Sequence, residues 1–160
     1  MGGRPLKISY HYLFGLPRKI VWKYLKNENV LRNSLPSCKS FEERSRGVYE
    51  AELEINIGPA QDHLTLEIRI DEEKPPLLYR LQVKGKGILG EVDAKAELKI
   101  KESQGTSKLF IVADVQLTGA LAIAGERILE AAAHKGLEQF FRKMEKEIKM
   151  NLYKTKKAGR

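Results

Sequence analysis

Apolar and polar positions alternate through the middle of the chain, the period-two signature of half-buried strands. Tyr49, Ala51, Leu53, Ile55 and Ile57 point one way while Glu50, Glu52, Glu54 and Asn56 point the other. Beyond a turn at Gly58-Pro59-Ala60-Gln61-Asp62, Leu64, Leu66, Ile68 and Ile70 alternate with Thr65, Glu67, Arg69 and Asp71. The Pro75-Pro76 break leads into Leu77, Tyr79, Leu81 and Val83. Gly85, Gly87 and Gly90 mark a further connection, before Val92, Ala94, Ala96, Leu98 and Ile100. Gly105 precedes a last strand through Leu109, Ile111, Ala113, Val115 and Leu117. Connections this short imply hairpins and an antiparallel meander, because parallel neighbours need a crossover of about a dozen residues.

One face of such a sheet must be covered. Residues 120–149 contain no proline, and Ala122, Gly125, Leu129, Ala133, Gly136, Phe140, Met144 and Ile148 recur at a helical period. At a rise of about 1.5 Å per residue this predicts a helix roughly 45 Å long, enough to cross the sheet. The N-terminal part predicts a strand through Leu6, Ile8, Tyr10, Tyr12 and Phe14, then a helix opened by Pro17 with Ile20, Val21, Tyr24 and Leu25 on its apolar side. A short helix at 29–34 ends before Pro36, and a strand follows over 38–46. The class is therefore α+β: a curved antiparallel sheet of about seven strands, two short helices and one long C-terminal helix. The domain is expected over residues 1–150, with a basic tail at 151–160.

A chain of 160 residues suits one domain with a real core. It has no run of about 18 apolar residues for a membrane span, no secretory signal is expected, and no lipid is expected at an N-terminus where Leu6 stands in place of the Ser or Thr of a myristoylation motif. The expected compartment is cytoplasmic. The single cysteine, Cys38, cannot close an intramolecular disulfide, and no metal-ligand spacing is present, so no cofactor or metal is expected. The net charge of +8 is concentrated at the C-terminal end, where Arg142, Lys143, Lys146, Lys149, Lys154, Lys156, Lys157 and Arg160 face only Glu145 and Glu147. The strands carry charges of mixed sign, which argues against nucleic acid as a partner. The basic end, with Met150, Leu152 and Tyr153 among its lysines, predicts docking on an acidic surface, either a partner enzyme or the inner anionic face of the membrane.

The middle of the long helix carries Ala132, Ala133 and Gly136 where a helix on a sheet normally offers Leu, Ile or Phe. Small residues there leave volume. The inward strand positions are apolar and include four tyrosines, the usual composition of a small-molecule pocket. The predicted cavity is enclosed between helix and sheet and bordered by Tyr10, Tyr12, Tyr49, Leu53, Leu66, Tyr79, Leu81, Ala132, Ala133, Gly136 and Phe140. The alternative is that the small residues only let the helix approach the sheet. His11, His63 and His134 do not converge, and Asp114 alternates outward. Glu126-Arg127 read as a cap or ion pair at the helix start, and Trp22 and Cys38 as buried packing residues. Gly85-Lys86-Gly87-Ile88-Leu89-Gly90 joins antiparallel strands, so it is a structural bend rather than a phosphate loop. No activated nucleophile or acid-base pair assembles from inward residues, and no catalysis is expected.

Strand, two short helices, six strands and a long helix is also the order of the START-like superfamily, known as SRPBCC or helix-grip. Within it, Pro17 with Val21-Trp22, then Leu35-Pro36 with Cys38, then Gly58-Pro59, resemble the CoxG family of carbon monoxide dehydrogenase proteins. Gly85 and Gly87, Thr106, Asp114, Gly119 with Leu121-Ala122, and Gly125 before Glu126-Arg127 extend the resemblance over almost the whole chain. It departs at Ser37, where the family commonly has Gly, and at Leu64-Thr65-Leu66, which replace a glycine-containing stretch. The resemblance implies a non-catalytic accessory protein that holds a hydrophobic ligand, a quinone or other lipid, for a molybdenum hydroxylase of the carbon monoxide dehydrogenase type. The alternative within the superfamily is a polyketide cyclase or aromatase-like enzyme using the pocket tyrosines.

Overall fold

Strand β1 (Arg4–Phe14) forms one edge of a seven-stranded sheet and strand β2 (Cys38–Ser45) the other, although only two short helices separate them in sequence. In this computed structural model, which describes residues 4–57 and 59–158, helices α1 (Arg18–Tyr24) and α2 (Glu28–Ser34) carry the chain from edge to edge. It then returns strand by strand through β3 (Val48–Ile57), β4 (Ala60–Lys74), β5 (Leu78–Gly87), β6 (Gly90–Ser103) and β7 (Thr106–Leu117). The order is β1-β7-β6-β5-β4-β3-β2, every pair antiparallel, so the last strand closes on the first. Helices α3 (Ala120–Ile123) and α4 (Glu126–Ala158) complete the helix-grip fold.

The turns follow local chemistry. Gln104 and Gly105 both have positive φ (51° and 80°), the conformation a tight two-residue hairpin with right-handed strand twist requires. Gly90, at φ 142°, lies so close to the β7–α3 corner that a Cβ there would collide with the Thr118 carbonyl oxygen. At α2 the Asn27 side chain accepts the Val30 amide at 3.0 Å, satisfying a first-turn donor.

Three differences from the sequence pattern stand out. The single helix expected over 120–149 is two, because Ala124 is extended and Gly125 is a poor helix former, so Ala122 and Gly125 lie outside α4. Beyond Lys149 the helix continues to Ala158, since residues 150–157 contain neither Pro nor Gly. The turn expected at 58–62 is shorter: Ile57 pairs with Ala60, so Gln61 and Asp62 are already in β4, while Gly58 lies outside the described residues.

The core has three parts. Phe14, Val21, Val30, Ile100, Leu109, Phe141, Met144 and Ile148 are among the buried residues that join β1, α1, α2, the β6–β7 end and α4. Leu6, Ile8, Ala113, Leu117, Leu121 and Leu129 form a second cluster under α3 and the start of α4. Phe41, Tyr49 and Ala51 form a third at the β2–β3 edge.

Candidate ligand-binding cleft

Register places successive inward residues of the sheet in rows. One row runs Ile8, Ala113, Ala96, Leu81 and Ile70 across β1, β7, β6, β5 and β4. The next runs Leu6, Val115, Ala94, Val83, Ile68 and Tyr49, and a third runs Leu117, Val92, Gly85, Leu66, Ala51 and Phe41. Row ends are buried: Leu6, Ile8, Leu117, Ala51 and Phe41. Ala113 and Gly85 are buried too, but Leu66, Ile68, Ile70, Leu81, Val83, Val92, Ala94 and Ala96 stay half-buried on the inward side.

The placement of α4 explains this. Its main backbone approaches are to α2, β1 and β3 rather than to β4, β5 and β6. On one flank the Tyr10 hydroxyl donates to Glu138 Oε2 at 2.5 Å, the Tyr12 hydroxyl to Glu145 Oε1 at 2.7 Å, and the Gly15 amide to Glu145 Oε2 at 2.7 Å. On the other flank Asn33 Nδ2 donates to Glu147 Oε2 at 3.3 Å. At about 100° per residue Leu129, Ala132, Gly136 and Phe140 share the Glu147 flank, with Ala133, Leu137, Phe141 and Met144 between the two. A Cβ built on Gly136 meets no heavy atom within 4 Å. Small residues thus occur on both sides, Ala132, Ala133 and Gly136 on the helix and Gly85, Ala94 and Ala96 on the strands. These small residues and the half-buried strand positions outline the candidate cleft.

The residues predicted from the sequence to line a cavity fall in three clusters rather than one. Tyr10, Tyr12, Tyr79, Leu81 and Phe140 belong to the first, Ala133 to the second with Val92 and Ala96, and Tyr49 and Leu66 to the third. Leu53 is buried on β3, while Ala132 and Gly136 are half-buried on α4. Trp22 and Cys38, expected to be buried, are half-buried: Trp22 stacks on Tyr79, and the Cys38 thiol donates to the Ser40 carbonyl at 3.2 Å, with burial pushing its pKa up.

The tyrosines differ in what holds their protons. Burial first, then the hydrogen bond and charge of a carboxylate, raises Tyr10 through Glu138 and Tyr12 through Glu145 far above the ordinary phenol range. Tyr49 is pushed up to about 12 by burial and by the charge of Glu43. Burial also raises Tyr79, with added repulsion from Glu73 and Tyr49.

Asp62 was missed by sequence reasoning, because its partners are 26 and 27 residues away. Buried at the start of β4, it accepts amides from His63 (2.7 Å), Ile88 (3.1 Å) and Leu89 (2.8 Å), which pins the glycine-rich turn between β5 and β6. The Leu89 amide foremost, with those of His63 and Ile88, holds its pKa below the usual carboxylate range against an opposing burial effect. At this end of the sheet the Leu121 amide donates to the Leu89 carbonyl at 3.0 Å, and Ile88 and Ile123 are 94% and 82% exposed.

The histidines lie apart. His134 meets the Tyr10 ring edge-on at 6.0 Å, His63 is 3.6 Å from Glu52, and His11 tilts over Phe110 at 6.5 Å. Asp114, Glu126 and Arg127 are exposed. No group of three or more His, Cys, Asp or Glu poised for a metal occurs among the described residues. The outer sheet face is laced with ion pairs of both signs, including Arg80 with Glu72 and Glu97, and Lys39 with Glu54. A separate groove of about 540 Å³ lies between Tyr12 of β1 and the α4 residues Arg142, Glu145, Lys146, Lys149, Met150, Tyr153 and Lys154. No described helix is long and apolar enough to cross a membrane.

The family model for CoxG, a carbon monoxide dehydrogenase component, matches residues 15–149. Comparison with curated proteins gives no match. A conserved protein from Geobacillus kaustophilus has a similar structure, with a TM-score of 0.86 and 27% identity over 91% of this chain and 96% of that one. The ZhuI aromatase/cyclase from Streptomyces sp. R1128 aligns with a TM-score of 0.67 and 12% identity over 93% and 96% of the two chains. A START superfamily protein from Mycobacterium smegmatis gives 0.67 and 11% over 93% and 99%. The last two likenesses establish the fold alone.

Proposed function

Because this chain belongs to the CoxG family of carbon monoxide dehydrogenase proteins, we propose that it binds a hydrophobic small molecule, a quinone or another lipid, in the cleft between α4 and β4–β6 without transforming it. One observation carries this reading: eight apolar residues from Leu66 to Ala96 face the interior yet stay half-buried, opposite a helix that offers Ala132, Ala133 and Gly136. Inward apolar surface left without protein cover gains free energy when an apolar ligand covers it, by about 25 cal/mol per Å². The tyrosines favour binding over a cyclase-like reaction, since Tyr10 and Tyr12 donate to carboxylates, and burial with nearby carboxylate charge makes Tyr10, Tyr12 and Tyr49 hold their protons firmly. The ligand's recipient is a redox enzyme of the molybdenum hydroxylase type.

Delivery from a membrane fits the far end of α4. Met150 and Tyr153 are 45% and 66% exposed, and Lys143, Lys146 and Lys154 around them make no ion pair among the described residues. Apolar and aromatic groups among lysines are the pattern of a helix that rests on an anionic leaflet. The cleft itself is tested by replacing Ala133 with Trp and titrating an apolar fluorescent probe. Uptake should be blocked while the circular dichroism spectrum is kept, and unchanged uptake in a folded variant would remove the cleft as the binding site.

A further inference from the structure

The four inward tyrosines are not equivalent. The Tyr10 and Tyr12 hydroxyls donate to Glu138 and Glu145, and Tyr49 lies across the β2–β3 pair from Glu43. Tyr79 is only 3% exposed, and its hydroxyl is fully buried without a hydrogen-bond partner. Buried hydroxyls are almost always paired, because an unpaired one has given up water for nothing. Tyr79 belongs to the same cluster as Ile70 and Leu81, which border the cleft, and its neighbour across β4 is Glu73. Its ring is held in place by Trp22, stacked face to face at 4.1 Å and 6°, so the hydroxyl position is fixed before any ligand arrives.

The charges nearby say which ligand atom suits it. Glu73 is paired with Lys26 at 3.0 Å, and burial first, then the Glu73 charge, raises the Tyr79 pKa, so the phenol keeps its proton and acts as a donor. Among the described residues the cation over the Tyr79 ring is this same paired lysine, 5.9 Å from the centroid, which is already committed to Glu73 and is poorly placed to receive an anion. Resting on the reading of the cleft as an apolar ligand site, we infer that the Tyr79 hydroxyl donates a hydrogen bond to a neutral oxygen, a carbonyl or ether, on the buried end of the ligand. The site then favours neutral oxygenated hydrophobes over carboxylates such as fatty-acid anions. A hydrocarbon of the same shape gains nothing from the hydroxyl.

Trp22 is the single tryptophan of the chain, so its emission reports occupancy beside Tyr79. The full chain, stripped of co-purified lipid, is titrated with 2-acetylnaphthalene, 2-ethylnaphthalene and 2-naphthoate, as wild type and as Tyr79→Phe. Affinities are taken from calorimetry as well as from Trp22 emission. The ketone should bind the Phe variant about 3- to 10-fold more weakly than wild type, the hydrocarbon should bind both within about twofold, and naphthoate should bind wild type at least about tenfold more weakly than the ketone. A ketone affinity unmoved by Tyr79→Phe, with the hydrocarbon still binding, overturns the role of the hydroxyl and leaves the cleft standing. So does naphthoate binding as tightly as the ketone. If neither neutral probe binds wild type, the cleft reading fails and takes this inference with it. Should the Phe variant not fold, the wild-type comparison decides: a ketone that binds more weakly than its hydrocarbon analogue overturns the proposal.

Discussion

The Tyr12 hydroxyl donates to Glu145 Oε1 at 2.7 Å, and the second oxygen of that carboxylate takes the Gly15 amide at 2.7 Å and faces Lys149 Nζ at 3.3 Å. One side chain on α4 therefore ties down the end of β1 and the start of the link to α1. Its side chain is only 15% exposed, so these partners are poorly served by water if it is removed. Glu145→Ala should cost about 1–3 kcal/mol in urea unfolding, with the slope of the transition unchanged. A cost below about 0.5 kcal/mol would mean that water replaces the carboxylate without loss.

The same contacts set an acid response. Burial pushes the Glu145 pKa up, but the Gly15 amide, the Tyr12 hydroxyl and the Lys149 ammonium together outweigh it and hold the group below its ordinary 4.5. A carboxylate depressed in the folded state contributes stability that is complete above the unfolded value and is lost as pH falls through the folded one. The wild type should therefore lose stability below 4.5 more steeply than Glu145→Gln, and the two should run parallel from neutral pH down to that point. Urea midpoints measured from neutral pH into the acid range check this, and parallel curves throughout would exclude the linkage.

Ser37 has φ 51°, a left-handed backbone in which a Cβ is strained and glycine is at ease. Relief of roughly 1–2 kcal/mol of strain is partly offset by about 0.4–1 kcal/mol of added unfolded-state entropy, so Ser37→Gly should stabilise by about 0.5–1 kcal/mol. A destabilised variant in urea would show that the serine side chain contributes more than its backbone costs.

How much of this was legible in the sequence depended on the range of the interaction. Strands β3 to β7 were readable because each buries one face, and a period of two survives without knowledge of the partner strand. The break at Ala124-Gly125 was hidden because Ala122 and Gly125 happen to continue the spacing of Leu129 and Ala133. The small residues on α4 were visible as an anomaly, whereas Ala94 and Ala96 looked like ordinary alternation and Gly85 like part of a connection, although it pairs with Leu66 and Val92 inside β5. What separates Tyr79 from Tyr10 and Tyr12 was not legible at all. Glu138 and Glu145 lie 128 and 133 residues from the hydroxyls they accept, and only the fold brings them there.

Gly136 offers a separate test of the free space beside α4. A helix-interior glycine with nothing within 4 Å of its would-be Cβ can become alanine without a clash. Gly136→Ala should raise stability by about 0.5–1 kcal/mol through helix propensity alone. Gly136→Trp should fold but reduce uptake of an apolar probe, because the indole occupies the flank that faces the cleft. A thermal melt with a probe titration separates the two effects, and a destabilised alanine variant would show that the space is already filled.

The C-terminal part of α4 carries the last prediction. Lys143, Lys146 and Lys154 are exposed and make no ion pair among the described residues, whereas Arg142 and Lys149 are held by Glu138 and Glu145. The first three are therefore free to meet an anionic surface, with Met150 and Tyr153 beside them to enter its apolar boundary. Each lysine near an anionic membrane contributes on the order of 1 kcal/mol, so reversing all three charges should weaken binding to phosphatidylserine-containing vesicles at least about 100-fold. Raising salt should weaken wild-type binding in the same direction, since the Debye length falls from about 10 Å at 0.1 M to about 3 Å at 1 M. Phosphatidylcholine vesicles should bind neither protein. The variant Lys143→Glu, Lys146→Glu, Lys154→Glu breaks no ion pair among the described residues, so its thermal melt should match wild type and a loss of co-sedimentation reports the surface alone. Equal co-sedimentation of both proteins would remove the leaflet as the partner, and a pull-down with the same variant then tests an acidic protein surface in its place.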